Sequence, residues 1–261
     1  FGNVPYTEAN DVINHPQPTY DDAKTIYKDL IARLTTDVAN LSTSSENFGS
    51  TDLYYGGDAT KWKKFANSLR LKLAVNISDA DPSYGLAQIQ AAVAAGVITN
   101  SNDDTKMQYL DGVPNTNPVY VDLVASGRHD FVAANTFVNK MNALSDPRRD
   151  KYFTLAANGT YRGGTYGTGN SYATFSHVSA TIESPTNPGV LIESSEIEFL
   201  LAEAVERGAT ITGTAESHYN AAIIASMNKW GVASADITTY LARTDVAYTT
   251  ATGTWKQKIG T

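Results

Sequence analysis

Apolar residues recur every three or four positions along several stretches of the chain. This spacing places them on one face of an α-helix, so that a buried stripe lies opposite a polar face. The pattern predicts helices over residues 20–41, 60–78, 84–95, 131–144, 193–207 and 215–230. Local signals agree, because Gly96, Gly208 and Gly231 are placed to end helices and Thr214 is placed to cap the last one.

One of these helices raises a choice between two functions. The segment "DATKWKKFANSLRLKLAVNIS" (58–78) combines lysines and an arginine with aromatic residues. It is either a nucleic-acid-binding helix or a core helix whose lysines form the solvated face. Stacking on bases requires exposed rings, whereas these rings fall on the apolar stripe, so the core interpretation is favoured. We expect the following side chains to be largely buried: Trp62, Phe65, Leu69, Leu200 and Trp230.

The predicted helices pair along the chain. Residues 193–207 and 215–230 are separated by a short turn and carry alanines at close-packing positions. Such a helix hairpin resembles a tetratricopeptide unit, and 20–41 with 60–78 would serve as elements of another. Residues 99–190, which we call the irregular region, are rich in Asn, Asp, Pro and Gly and carry one helical period at 131–144. We therefore predict a mostly α fold: tetratricopeptide-like helix pairs with a long, irregular, loop-rich region.

Composition narrows the possible partners. The 261 residues are 42% hydrophobic and 18% charged, which is enough to bury a substantial core. A net charge of −7 gives no general attraction for nucleic acid. The absence of cysteine excludes disulfides, thiolate metal sites and cysteine nucleophiles. Both ends read as cuts through a longer protein, so we expect one domain over 1–261, truncated at both ends, with a helical scaffold at 1–98 and 191–261.

Catalytic and metal-binding motifs are not evident in the sequence. The histidines lack the paired spacing of a zinc site: His15, His129, His177 and His218. The glycine-rich "GGTYGTGNS" (163–171) lacks the lysine of a phosphate loop, and no Gly-x-Ser-x-Gly elbow is present. Three carboxylates share one helix face, where we expect them to be solvated or paired with basic neighbours: Glu196, Glu203 and Glu206. We therefore predict no catalytic residues, metal or cofactor.

The remaining chemical signal is aromatic. Tyrosines cluster in the glycine-rich part of the irregular region, where no helical period accounts for their burial. Flat rings suit the apolar C–H face of a pyranose, while Asn and Arg side chains hydrogen-bond its hydroxyls. Alternatively, the rings anchor a long loop onto the body, and the residues alone leave both interpretations open. The candidate ligand-binding residues are Asn117, Tyr120, Arg128, Tyr161, Tyr166, Asn170 and Tyr172.

Six segments together resemble the SusD/RagB family of outer-membrane nutrient-binding lipoproteins. They occur in the family's order and cover nearly the whole chain. The segments are "FGNVPYTEA" (1–9), "PTYDDAKTIYKDL" (18–30), "GDATKWKKFANSLRLKLAVNIS" (57–78), "LSDPRRDKYF" (144–153), "EIEFLLAEAVERG" (196–208) and "AESHYNAAIIASMNKWGV" (215–232).

This resemblance implies a helical fold with a ligand-binding region and no catalysis. Such proteins lie on the surface of Bacteroidota cells, anchored by a lipidated N-terminal cysteine that this chain lacks. They act as a lid on a SusC-type TonB-dependent outer-membrane transporter, to which they deliver oligosaccharides or sometimes peptides. Two alternatives remain from the residues: a peptide-binding helical scaffold, and a glycan-cleaving enzyme that uses a carboxylate pair.

Overall fold

The computed structural model describes residues 2–44 and 47–260. The helices in this part of the chain are α1 (Ala23–Asn40), α2 (Ala59–Ile77), α3 (Pro82–Ala95), α4 (Pro118–Tyr120), α5 (Asn135–Ala143), α6 (Arg149–Tyr152), α7 (Ser194–Glu206), α8 (Ala215–Lys229), α9 (Ser234–Leu241) and α10 (Trp255–Ile259). A π-helical turn (Val121–Ala125) continues α4. Two short strands, β1 (Thr105–Met107) and β2 (Gly189–Ile192), pair antiparallel. The predicted mostly α fold is confirmed.

Local signals fix the ends of the predicted helices. The Asp58 carboxylate accepts hydrogen bonds from the backbone N–H groups at the start of α2, and Thr214 with Ser217 forms a capping box at the start of α8. Gly96 and Gly208 follow α3 and α7 with φ of +95° and +93°, a backbone region that glycine enters without strain.

One predicted helix is shorter than expected, because its first residues pair with a distant loop. The backbone N–H of Ala133 donates to the Ser176 carbonyl at 2.8 Å, and Ala134 forms a bridge with Gly164. The helix predicted over 131–144 therefore begins only at Asn135, as α5. The helices α9 and α10 were not predicted.

Helix α7 lies at the centre of the scaffold. One side of it packs with α1, α2 and α3 in a core that contains Ile31, Leu71, Val75, Ile89, Ile98, Ile197 and Leu201. Its other side packs with α8 and α9 in a second core that contains Ala202, Tyr219, Ile223, Met227, Ile237 and Tyr240. Because both of its faces are covered, α7 joins two helical layers into one body.

Burial of α2 extends beyond its apolar stripe. Leu71 and Ala74 are fully buried, and so are the polar side chains Asn67 and Ser68. Ser68 Oγ accepts the Ile98 N–H at 2.9 Å, which satisfies one of these buried groups. The side chains expected to be largely buried are partly buried at the core edges: Trp62, Phe65, Leu69, Leu200 and Trp230. Helix α2 packs against α1, α3 and α7, and the core that they share is filled by other α2 side chains, Leu71, Ala74 and Val75.

The polar side of α2 is engaged in ion pairs. Lys64 Nζ lies 2.6 Å from Asp103, and Lys72 Nζ lies 2.6 Å from Glu196 on α7. Glu203 pairs with Arg207 at 2.7 Å, and the Tyr248 hydroxyl donates to Glu206 at 2.6 Å. The carboxylates of α7 are thus held by neighbouring donors.

The irregular region has a small core of its own, and contacts at several points attach it to the scaffold. The core contains Ala133, Val138, Met141 and Phe153. The pairing of β1 with β2 closes the ends of the region against each other. One attachment is formed by the buried ion pair of Asp146 with Arg148, because Arg148 Nη1 donates to Ser226 Oγ on α8 at 2.7 Å. Loops of this region are therefore held on a rigid frame.

Candidate ligand-binding site

The seven predicted site residues do not form one cluster. Two of them are used by the chain itself. Asn117 is buried, its Nδ2 donates to the Asn187 carbonyl at 2.6 Å, and its Oδ1 accepts the Val119 N–H at 2.7 Å. Its side chain therefore caps α4 and ties it to the end of the irregular region.

Asn170 plays a similar internal role. Its Oδ1 accepts the Thr165 N–H, and its Nδ2 donates to the carbonyls of Thr165 and Thr168, each at 2.9 Å. The amide also lies where a Cβ at Gly164 would be, with Asn170 Cγ 2.6 Å from that position. Asn170 thus closes the glycine-rich loop, and Gly164 leaves room for it.

The other three predicted tyrosines differ in how far their rings are exposed. Tyr161 packs against the small core of the irregular region, with the Arg149 guanidinium 5.5 Å from its ring centre. Tyr166 is 82% exposed in the glycine-rich loop. Tyr120 is half-buried at the end of α4. Of these rings, Tyr166 is the one most open to solvent.

The structure brings Arg128 and Tyr172 together in a shallow cavity. We call it the aromatic groove and define it by its lining residues: Leu123, Arg128, Phe131, Val132, Tyr172, His177, Val178 and Glu183. Its volume of about 50 Å³ is that of a surface notch, so it fits one edge or face of a ligand unit. The groove joins two stretches of the irregular region that are distant in sequence, 123–132 and 172–183.

Tyr172 is held in the groove by histidines. The His177 ring stacks on it at a centroid distance of 3.6 Å and an angle of 8°, and a His177 ring nitrogen, Nε2, lies 2.6 Å from the Tyr172 carbonyl. His129 lies tilted against the same phenol ring at 5.1 Å. Because an imidazole covers one face of Tyr172, this ring serves as a wall of the groove more than as an open stacking platform.

Phe131 offers the more accessible ring. It is 52% exposed, and the Arg128 guanidinium lies 4.5 Å from its centre. Arg128 is oriented in turn by Asp130, which accepts from Nε at 2.7 Å and from Nη2 at 2.5 Å. These hydrogen bonds lower the pKa of the Asp130 carboxyl. Arg128 Nη1 has no acceptor within residues 2–44 and 47–260, so it can donate to a ligand.

Phe131, His177 and Glu183 were not predicted as site residues. Phe131 fell within the helix expected over 131–144, and the true start of α5 at Asn135 leaves it in a loop. The run "GRHDF" (127–131), in which charged side chains precede a ring, is a sequence signal that could have indicated Phe131.

A π-helical turn borders the groove. Leu123 of this turn lines the groove, while Val121 and Val124 are 44% and 43% exposed. A π turn widens the helix and is frequent at functional sites. Here it places an apolar edge beside Arg128 and Phe131.

A second, wider cleft lies between α1 and α2. It has a volume of about 770 Å³, and apolar side chains dominate its lining: Leu34, Leu41, Phe48, Trp62 and Phe65. Asp52 at its edge accepts a hydrogen bond from Trp62 Nε1 at 2.7 Å. This hydrogen bond fixes the Trp62 indole. The Phe48 side chain, in contrast, is 84% exposed. This cleft is a second surface on which a ligand can pack.

Two further kinds of feature bear on function, a grouped set of metal ligands and a membrane-spanning helix. Within the part of the chain that the structure describes, no three His, Asp or Glu side chains are grouped so that they could hold a metal ion. None of its helices combines the length and apolar character that crossing a bilayer requires. His218 pairs with Glu198 at 2.6 Å rather than with another histidine.

Comparison with known proteins decides the family. A SusD-like family model, described as "Starch-binding associating with outer membrane", matches residues 1–261. The chain belongs to the SusD-like family. No curated protein is similar enough to the SusD-like chain to count as a match.

Solved structures of SusD-like proteins share the fold. A chitin-binding protein has a TM-score of 0.82 and 28% identity, over 100% of this chain and 59% of its own. A chitin-binding SusD homolog from Flavobacterium johnsoniae has a TM-score of 0.79 and 29% identity, over 94% of this chain and 51% of its own. A SusD-like protein from Bacteroides thetaiotaomicron has a TM-score of 0.75 and 30% identity, over 92% and 51%. The chain thus spans between half and three fifths of the length of these relatives.

Proposed function

We propose that this SusD-like chain is the glycan-binding part of a non-catalytic nutrient-capture protein. The observation that carries the proposal is the aromatic groove, where the exposed Phe131 ring lies beside the free Arg128 Nη1. The guanidinium covers part of the Phe131 ring, and the exposed remainder of the ring can pack on the C–H groups of a sugar while Nη1 donates a hydrogen bond to a hydroxyl. Glycan binding by two similar proteins supports the same ligand class.

The cellular role follows from the family. Its description associates it with the outer membrane, and we propose that the full-length protein is held by a lipid anchor at the cell surface. There it captures an oligosaccharide and passes it to a SusC-type TonB-dependent transporter. The wall of the groove, Tyr172 with His177, is fixed before ligand binding, which limits the entropy lost on capture.

Calorimetry with two glycan classes tests the proposal. Chitin oligosaccharides and malto-oligosaccharides are titrated into the 261-residue chain, because the relatives bind chitin and the family description names starch. We expect one class to bind, and Phe131→Ala to weaken that binding by about 1–2 kcal/mol, or roughly 5- to 30-fold. The control is Tyr20→Ala, which removes a 71% exposed ring outside the groove and should leave affinity unchanged.

Equal affinity in Phe131→Ala and in the parent chain would move the site out of the aromatic groove. Product analysis on the same samples tests the absence of catalysis, and we expect the glycans to be recovered intact. Reproducible turnover would contradict a capture role.

A peptide-binding function is the second candidate, and the cleft between α1 and α2 favours it. The exposed Phe48 and the partly buried Trp62 line this cleft of about 770 Å³, and such an apolar groove suits the apolar side chains of a peptide. Phe48→Ala would then weaken peptide binding and leave glycan binding unaffected. The two variants Phe48→Ala and Phe131→Ala therefore separate the two functions.

A further inference from the structure

Glu183 lines the aromatic groove without a partner of its own. Its side chain is half-buried. Its backbone is fixed, because its N–H donates to the Ser179 carbonyl at 3.1 Å. Within residues 2–44 and 47–260, no cation or hydrogen-bond donor contacts its carboxylate. In this it differs from most groove and scaffold carboxylates, which are paired.

The other charged groups of the groove do not neutralise Glu183. Arg128 is the permanent cation on the lining, but Asp130 accepts from two of its guanidinium nitrogens, and its free Nη1 makes no ion pair with Glu183. A ring nitrogen of His177 faces a carbonyl, and His129 lies against Tyr172. The Arg128–Asp130 pair is balanced, so Glu183 leaves an uncompensated negative charge beside the rings.

We infer that the aromatic groove selects sugars that carry a free, protonated amine, such as the deacetylated units of chitin, over fully acetylated and acidic sugars. This inference rests on the proposed glycan-binding function and adds its specificity. An ammonium group on the sugar would donate charge-assisted hydrogen bonds to the Glu183 carboxylate, while the Phe131 ring packs on the C–H groups of the same sugar. Acetylation of the amine removes that charge, and the carboxylate of a uronic acid would face Glu183 with the same sign.

A comparison of three probes of equal length tests the inference. Chitosan oligosaccharide, fully acetylated chitin oligosaccharide and an oligouronate are titrated at mildly acidic pH, where the chitosan amines are protonated. We expect chitosan to bind about 3- to 10-fold more tightly than the acetylated probe, as one partly exposed ion pair provides. The oligouronate should bind most weakly, and added salt should reduce the preference for chitosan.

Glu183→Gln is the decisive variant, because it keeps the shape of the side chain and removes its charge. It should abolish the preference for chitosan, because affinity for chitosan falls to that of the acetylated probe. Glu216→Gln is the matched control, since it removes an exposed carboxylate on α8 outside the groove.

Two results would overturn the inference in distinguishable ways. If chitosan and acetylated probes bind equally to the parent chain, or if the preference persists in Glu183→Gln, the specificity assigned to Glu183 is wrong and glycan binding stands. If no glycan binds to the parent chain, the proposed function fails, and the inference fails with it.

Discussion

The helical scaffold and the irregular region place their large side chains by different rules. In the scaffold, Leu71, Ile89 and Ile197 are fully buried between helices that local sequence patterns define. In the irregular region, Tyr172 is stacked on an imidazole while Phe131, on a neighbouring segment, is half exposed. Burial in the scaffold follows the helix period, whereas burial in the irregular region follows contacts between distant segments.

This difference arises from how each region satisfies its backbone. Helices pair their own N–H and C=O groups, so side chains are free to form the core. The irregular region relies on long-range hydrogen bonds, such as Thr154 N–H to the His177 carbonyl at 2.9 Å and Ser176 N–H to the Arg162 carbonyl at 2.8 Å. A ring in this region is therefore exposed or covered according to which loops meet, and not according to its own neighbours in sequence.

The largest effect is expected where the two regions join. Asp146→Asn should cost about 3–5 kcal/mol of unfolding free energy, because it leaves Arg148 with a largely buried and uncompensated charge. The matched control is Asp245→Asn, since Arg243 and Asp245 form the same bidentate pair near the surface. Its expected cost is about 1 kcal/mol or less. Equal costs in urea denaturation would mean that Asp146 does not attach the irregular region to α8.

Truncating one buried and one exposed leucine compares the contribution of burial in the two regions. Leu71→Ala removes a side chain with 0% exposure and should cost about 2–5 kcal/mol. Leu110→Ala, which truncates a side chain that is 56% exposed in the irregular region, should change stability by no more than about 0.5 kcal/mol. Denaturant unfolding of both variants measures the difference. A similar loss of unfolding free energy in both variants would contradict the view that burial follows different rules in the two regions.

Within the irregular region, truncating Tyr172 should mainly lower stability, whereas truncating Phe131 should mainly weaken glycan binding. Tyr172→Ala should lower stability by about 1–3 kcal/mol, because the His177 stack and the groove wall are lost. Phe131→Ala should change stability by less than about 1 kcal/mol while it weakens glycan binding. Thermal unfolding, read beside calorimetry, tests both. The distinction fails if Phe131→Ala unfolds the chain as readily as Tyr172→Ala does.

In the scaffold, the contribution of His218 to the free energy of unfolding should depend on pH. The His218 ring nitrogens face the Glu198 carboxylate at 2.6 Å and the Thr212 carbonyl at 2.8 Å, and the hydrogen bond to Glu198 raises the pKa of His218. The unfolded pKa is about 6.5, and the folded pKa is higher. The stabilisation is therefore complete below the unfolded value and is lost as pH rises through the folded value.

We expect a loss of about 1–2 kcal/mol across that pH window in the parent chain. Glu198→Gln removes the charge that holds the proton, so the slope of stability with pH should flatten over the same window. Denaturation curves at a series of pH values measure it. An unchanged slope in the variant would show that His218 does not sense pH through Glu198.

The smallest effect is expected at the exposed tyrosine of the glycine-rich loop. Tyr166→Ala should change stability by less than about 0.5 kcal/mol, because 82% of this side chain is already in water. Tyr161→Ala should cost more, since that ring packs on the small core. Thermal unfolding compares the two. A large loss for Tyr166 would show that the loop is packed more tightly than its exposure indicates.

Much of the fold was predictable from sequence, and less of the site was. All six predicted helices are present, although the one expected over 131–144 begins only at Asn135. They were predictable because a helical period and its caps lie within a few residues of one another. Helix α9 was missed since it is only eight residues long and buries just Ile237 and Tyr240. The pairing of β1 with β2 was missed because each strand has four residues or fewer and its partner is far along the chain.

For the site, sequence reasoning selected Arg128 and Tyr172, which the structure places in one groove and whose role in binding stays a prediction. It also selected Asn117 and Asn170, whose side chains are occupied by hydrogen bonds within the chain. An amide that caps a helix and an amide that binds a sugar have the same residue type and the same polar surroundings in sequence. Their difference appears only when the partner atoms are located.

The sequence by itself determined the helical class, the order of the helices and the family, because these depend on local periodicity and on runs of residues along the chain. Only the tertiary structure decided which rings are open, which carboxylate lacks a partner and which segments meet at the aromatic groove. Those properties depend on distances between residues such as Arg128, Tyr172 and Glu183, which separate loops bring together. Exposure and charge compensation are properties of three-dimensional neighbours, and a linear pattern does not encode them locally.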